Sequence, residues 1–147
     1  MEIIDYIKSD LSTEEMNIIK EIFDENETVK CTDAIDYCTN VLLLKNKDNI
    51  YGYCMYKLRE DTSFDGMYIN QIALYKKYQN NNLGKLFYNY LVDAYNENIY
   101  AHVDITNRNS MKFHCSLGFY PISVEVDENF YGAKNYTSLL LVKEVRK

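Results

Sequence analysis

Between Ile69 and Phe119 the chain alternates element types in a way that limits what it can build. An apolar strand (Ile69-Asn70-Gln71-Ile72-Ala73-Leu74) runs into an Asn-rich turn (Tyr75 to Asn82), and a helix opens at Leu83-Gly84. A second strand and a shorter helix ending at Leu117-Gly118-Phe119 follow. That order suggests a ligand site. The first backbone N–H groups of the helix have no partner within it and point outward. The summed peptide dipoles add about half a positive charge there, which favours an anion.

Two segments in this stretch resemble the GNAT superfamily of acyl-CoA N-acyltransferases. Gln79-Asn80-Asn81-Asn82-Leu83-Gly84 is similar to its Gln/Arg-x-x-Gly-x-Gly/Ala loop, with Ile72-Ala73-Leu74 standing where the fourth strand would. Asn107 to Phe119 resembles its Asn-x-x-Ala-x-x-Phe-Tyr-x-x-x-Gly-Phe segment. The resemblance implies one domain over residues 1–147. It also implies a central mixed, mostly antiparallel, twisted sheet of six to seven strands with helices on both faces and the fourth and fifth strands splayed. It further implies acetyl-CoA as co-substrate, no metal, and transfer of the acetyl group to a primary amine by direct attack.

Composition is compatible with this. The 147 residues are 47% hydrophobic and 26% charged with one Pro, which suits a single globular domain able to bury its own core. A net charge of −6 argues against nucleic acid as the main partner, because phosphate neutralisation needs a basic surface. Met1 to Ile7 lacks the basic start and long apolar run of a signal peptide, and no run approaches a membrane span, so a cytoplasmic protein without membrane contact is expected. Cys31, Cys38, Cys54 and Cys115 show no metal-ligand spacing and read as free thiols.

Along the chain, Glu2 to Ile7 reads as a first strand. Ser12-Thr13-Glu14-Glu15 is a capping box ahead of a helix that presents Met16, Ile19, Ile22 and Phe23 on one face. A short helix is expected over Thr32 to Tyr37. Val41 to Leu44 and Ile50 to Tyr56 form a hairpin across Asn46 to Asn49, a loop covers Arg59 to Gly66, and a strand runs from Met67 to Leu74. From Leu83 to about Asn96 the residues Leu83, Leu86, Phe87, Tyr90, Leu91 and Ala94 make one helical stripe. Ile99 to Ile105 (strand), Asn109 to Leu117 (helix), Tyr120 to Val126 and Tyr136 to Val145 (strands) complete the chain, with Gly118 as the left-handed residue that ends the last helix.

The resemblance also assigns residues. Backbone N–H groups of Gln79, Asn80, Asn81, Asn82, Leu83 and Gly84 would cradle the pyrophosphate, with Lys85 near the phosphates. Ile72 and Leu74 would pair with the pantetheine arm, the Leu74 N–H would receive the carbonyl oxygen, and Asn107 and Ser110 would contact the arm. Asn82 stands where the family has its first Gly; Asn tolerates a positive φ best among other residues, at about 1 kcal/mol. His114 stands where many relatives carry the Tyr that protonates the departing thiolate, and an imidazole is a competent acid for that step.

No carboxylate precedes Ile72 on the strand; Tyr68 and Asn70 are left to orient a water that relays the proton. His102 alternates with Ala101 and Val103, facing the other side of the sheet, and a structural role is its simpler expectation. Phe130 and Tyr131, with Asp127 and Glu128, would line an acceptor mouth in the loop from Asp127 to Lys134. An N-acetyltransferase acting on a small amine or a protein amine is thus expected. The alternative is an acyl-CoA-binding module without turnover, a sensor or complex subunit, which the missing carboxylate favours. The fifteen tyrosines leave a homodimer contact open.

Overall fold

The computed structural model describes residues 1–26, 34–60, 64–130 and 133–146, and for residues 127–130 and 133–136 the backbone alone. In chain order the elements are β1 (Glu2–Ile7), α1 (Thr13–Glu25), α2 (Ala34–Tyr37), β2 (Asn40–Asn46), β3 (Asn49–Arg59), β4 (Gly66–Leu74), α3 (Lys85–Ala94), β5 (Ile99–Asp104), α4 (Arg108–Ser116), β6 (Tyr120–Phe130) and β7 (Ala133–Lys143). The strands pair in one sheet in the order β1-β2-β3-β4-β5-β7-β6, antiparallel throughout except for the parallel pair β4 and β5. This is the mixed, mostly antiparallel α/β sheet expected.

Alternation along β2 shows how the sheet is covered on both sides. Val41, Leu42, Leu43 and Leu44 are all fully buried, Val41 and Leu43 in the layer beneath α1 and α2, Leu42 and Leu44 in the layer with Phe87, Tyr88 and Leu91 of α3. A central strand wrapped on both faces has no polar side to show. The capping box at α1 forms: the Glu15 N–H donates to Ser12 Oγ at 3.0 Å and the Ser12 N–H donates to Glu15 Oε1 at 2.8 Å. In α3 the buried set is Phe87, Tyr88 and Leu91, while Ala94 is exposed. The buried face is rotated toward Tyr88 because α4 packs on that flank, bringing Phe113, His114 and Phe119 against the Tyr88 ring.

Several boundaries differ from the sequence reading. β3 continues to Arg59 and β4 begins at Gly66, since each extends by pairing with the other (Arg59 with Gly66), shortening the expected loop. α3 spans Lys85–Ala94 and not Leu83 to Asn96. Most of the expected acceptor loop from Asp127 to Lys134 is strand: Asp127 pairs with Tyr136, Asn129 with Lys134 and Phe130 with Ala133. The cross-strand ladder extends there because neither strand meets a breaker before Gly132. Thr32 and Cys31 lie outside the described residues. Cys38 and Cys54 are buried free thiols, their pKa values pushed up by burial, to about 11 for Cys38; Cys115 is free and exposed. Among the described residues no helix is long and apolar enough to cross a membrane.

One carboxylate ties the first strand to the ligand-side helix. Asp5 Oδ2 accepts from the hydroxyls of Tyr56 (2.6 Å), Tyr95 (3.1 Å) and Tyr90 (3.2 Å), and Oδ1 accepts from Asn40 Nδ2 (3.1 Å). Burial, reinforced by this carboxylate, raises the pKa values of the three phenols, so they remain donors. Removing the acceptor leaves donors without partners in a packed layer. Asp5→Ala is expected to destabilise the fold by about 2–3 kcal/mol, read as a lower denaturant midpoint at an unchanged slope.

Candidate active site

The parallel contact between β4 and β5 lasts for three residue pairs: Met67 with Ile99, Tyr68 with Tyr100, and Ile69 with Ala101. β4 nevertheless stays paired with β3 as far as Leu74, so its other edge is left open beyond Ile69. Which groups face that opening follows from alternation. The Tyr75 N–H donates to Tyr51 O on β3, so the Leu74 N–H, and by the same period the Ile72 N–H, point away from β3 into the gap. The strands splay as expected, and Ile72 and Leu74 present main-chain donors where an extended arm could pair.

A bulge sets the faces of β4. Met55 pairs with Gln71 and Tyr56 with Ile69, so Asn70 is the extra residue. Met67, Ile69, Ile72 and Leu74 consequently share the α3 layer, while Ala73 belongs to the α1 layer. Asn70 Oδ1 is buried at the bulge, close in sequence to Tyr68.

After β4 a short 3-10 turn (Lys76–Tyr78) leads into the Asn-rich loop. Asn82 adopts φ 60°, as its position predicts, and Asn80 adopts φ 68° as well. Two left-handed residues in a three-residue span curl the backbone and turn its amides outward. Among the described residues, no backbone N–H from Asn80 to Gly84 has an intramolecular partner, whereas those of Leu86 and Phe87 bond to the carbonyls of Leu83 and Gly84. Gln79 departs from expectation. Its N–H is spent on Lys76 O, and its side chain donates to Asn26 Oδ1 (2.9 Å) and Leu74 O (3.1 Å), bracing the loop against the end of α1. Lys85 is exposed at the first turn of α3. Gly84 has helical φ and ψ; its lack of a side chain matters because a Cβ would come within 3.0 Å of the Phe113 ring, so the residue lets α4 close on α3.

Asn107 caps α4, Oδ1 accepting from the Ser110 N–H at 3.0 Å. His114 is placed otherwise than an acid for a leaving group requires. It is 2% exposed and enclosed by Tyr88, Phe113 and Phe119. Its Nδ1–H donates to Ser110 O (2.8 Å), which makes Nε2 the acceptor for the Tyr88 hydroxyl (2.6 Å). Burial lowers the pKa of the imidazole, more than the Ser110 carbonyl raises it. With both nitrogens engaged, His114 locks α4 to α3, and Ser110 serves that contact; the motif position carried the expectation, and Tyr88 on another helix overturns it.

The face opposite α3 carries a second polar cluster. Tyr68 on β4 and His102 on β5 meet where the strands begin to part, the Tyr68 hydroxyl lying 2.5 Å from His102 Nδ1 and 3.1 Å from Nε2. His102 Nε2 in turn lies 2.6 Å from Glu125 Oε2 of β6. The Arg59 guanidinium sits over the Tyr68 ring at 5.0 Å. Sequence reasoning named Tyr68 as a site residue and His102 as structural; alternation placed His102 on the face opposite Ala101 and Val103, and the parallel pairing sets it beside Tyr68. Phe130 ends β6 with its backbone paired to Ala133, and Tyr131 lies outside the described residues. Among the described residues no cluster of His, Cys, Asp or Glu could hold a metal ion.

Comparison with known proteins agrees with this geometry. Residues 8–119 match the model of the Acetyltransferase (GNAT) family, and the chain belongs to that family. No curated protein matches it in sequence. Among solved structures it is similar to the ribosomal-protein-S18-alanine N-acetyltransferase from Escherichia coli (TM-score 0.73, 12% identity, 99% of this chain and 96% of that one). It also resembles Arabidopsis thaliana Naa50 in complex with the bisubstrate analogue CoA-Ac-MVNAL (TM-score 0.70, 17% identity, 97% and 99%). A third similar fold is an aminoglycoside 6'-N-acetyltransferase complexed with coenzyme A (TM-score 0.68, 10% identity, 100% and 98%).

Two outcomes follow for the loop and the buried imidazole. Asn82→Gly relieves a positive φ and is expected to raise stability by up to about 1 kcal/mol, measured by denaturant unfolding. For His114 the folded pKa lies below the unfolded value of about 6.5, so the unfolded chain binds the extra proton first and stability falls as pH drops through that value. Unfolding midpoints measured between pH 8 and pH 5 should show this slope, and His114→Leu should flatten it.

Proposed function

We propose that this protein is an acetyl-CoA-dependent N-acetyltransferase that acetylates a primary amine by direct attack, using Tyr68 and His102 to take the amine proton. The observation that carries the reading is the Tyr68–His102 hydrogen bond on the floor of the gap between β4 and β5. The chain's residues fit the co-substrate. Unpaired amides from Asn80 to Gly84 suit a diphosphate, Lys85 adds charge beside it, and the Ile72 and Leu74 N–H groups suit an amide-bearing arm. Asn107, whose oxygen is taken by the cap, keeps its side-chain N–H groups for the same arm. Acetyl-CoA supplies the activated acyl group.

The protein's own contribution is positioning and proton transfer. An amine at neutral pH arrives as an ammonium and must lose a proton before it can attack. Tyr68 receives that proton on its phenol oxygen while passing its own to His102, so an imidazole serves as the final acceptor. The Leu74 N–H, pointing away from β3, would stabilise negative charge developing on a carbonyl oxygen. The module reading rested on the missing carboxylate and on His114 standing in place of a Tyr; the Tyr68–His102 pair answers the first and favours turnover. Relatives that act on peptide N-termini and on small-molecule amines share the fold, so both acceptor classes belong in the test.

Calorimetry should detect acetyl-CoA binding, and thiol release over a panel of amines, polyamines and peptides should find an acceptor. With that acceptor, His102→Ala is expected to lower kcat by about a hundredfold with acetyl-CoA affinity unchanged. Binding without release across the panel, or an unaltered kcat in the variant, refutes the assignment.

A further inference from the structure

We propose that Glu125, on the edge strand β6, is a positioning residue for the proton-accepting pair, holding His102 in the tautomer whose Nδ1 faces Tyr68. The inference rests on the reading of Tyr68 and His102 given above. Its starting point is that a carboxylate only accepts hydrogen bonds and a neutral imidazole has one N–H. Glu125 Oε2 lies 2.6 Å from His102 Nε2, so the single proton sits on Nε2. Nδ1 is then a lone pair, and the Tyr68 hydroxyl, 2.5 Å from it against 3.1 Å from Nε2, is its donor. The phenol oxygen keeps its own lone pairs for the incoming ammonium.

The contact spans a whole strand. β7 lies between β5 and β6, and its register sets Leu140 beside both His102 and Ser123, and Ser138 beside both Asp104 and Glu125. Glu125 reaches His102 diagonally across β7, past a buried serine whose small side chain leaves room for the carboxylate. A serine in a position otherwise suited to an aliphatic residue gives the diagonal its path.

The step balances without a further reactant. The N–H bond of the ammonium breaks and an O–H bond forms on Tyr68; the original Tyr68 proton moves to Nδ1. Positive charge passes from the acceptor to the imidazole, where Glu125 offsets it. Other charged or titratable groups around the pair are Lys57 and Arg59 on β3, Tyr100 and Asp104 on β5, and Tyr68 itself; Asp104 Oδ1 is committed to Thr106, and β7 contributes apolar Leu140 and Val142. Among the described residues, Arg59 and Lys57 oppose protonation of the imidazole, and Glu125, in direct contact with it, favours it.

Two measurements on the full chain test this. The chain has two histidines, so the side-chain nitrogen spectrum of the uniformly labelled protein contains two imidazoles, assigned with His102→Ala. His102 is expected as the Nε2–H tautomer in the native protein and as a mixture in Glu125→Gln; the Nδ1–H tautomer in the native protein, or no change in the variant, overturns the proposal. In kinetics, Glu125→Gln should lower kcat at least about tenfold with the KM for acetyl-CoA unchanged, and Glu125→Asp should restore part of it. The rising limb of the pH–rate profile should also move to lower pH in Glu125→Gln, because the imidazolium has lost its counter-charge. A native rate and an unmoved limb in Glu125→Gln, alongside a loss in His102→Ala, would sink the role of Glu125 alone. A native rate in His102→Ala would sink the underlying pair.

Discussion

The structure depends on a parallel strand contact that stops early. β4 and β5 share three residue pairs, yet β4 remains fully engaged with β3 on its other side. Main-chain groups cannot be left buried without partners, so an edge opened inside a sheet must face solvent or a ligand. The Asn80–Gly84 loop that follows β4 likewise has backbone amides without partners among the described residues. Two sets of backbone donors, one from a strand and one from a helix entry, are therefore available at and just after the end of β4. Such donors are positioned by secondary structure and need no side-chain ordering when a ligand arrives.

What holds this cleft in shape is a set of buried polar contacts placed away from it. Asp5 gathers hydroxyls from β3 and from the far end of α3, fixing the helix whose near end opens on the loop. Asn26 and Gln79 both donate to Leu74 O, closing the top of β4 against α1. Tyr88 and His114 lock α4 to α3 from within the core. Each joins polar groups of different elements through hydrogen bonds of 2.6–3.2 Å. In a layer otherwise built of apolar side chains, such contacts fix one register where apolar packing alone would tolerate several.

The contrast between the two histidines shows where reading a sequence succeeds and where it stops. His114 occupies a motif position, and the motif is correct about the helix: Asn107 caps it and Gly118, at φ 92°, ends it. The motif says nothing about Tyr88, a residue of α3 that meets the ring from another layer and leaves the imidazole buried with both nitrogens bonded. His102 shows the reverse. Its alternation with Ala101 and Val103 gave its face, and that face is the correct one. Its neighbour on the next strand depended on the parallel register of β4 and β5, and its carboxylate partner on a strand order in which β7 separates β5 from β6. Neither register nor order is local information.

The sequence by itself determined the periodic and terminal features: the capping box at Ser12 and Glu15, the apolar face of α1, the buried strand β2, the positive φ at Asn82 and the Asn-rich entry to α3. These are set by residues within a few positions of one another, through propensity, alternation and capping. It also placed Ile72 and Leu74 on the strand that opens, by their position before the loop. Tertiary structure alone decided which strands lie side by side and how far they pair, and so which side chains meet across β4, β5 and β6. The bulge at Asn70 shifts the β4 faces without any mark in the chain, because it reflects how β3 and β4 fit together. Contacts between residues far apart in sequence carry no local signature, and the proposed Tyr68, His102 and Glu125 relay consists wholly of such contacts.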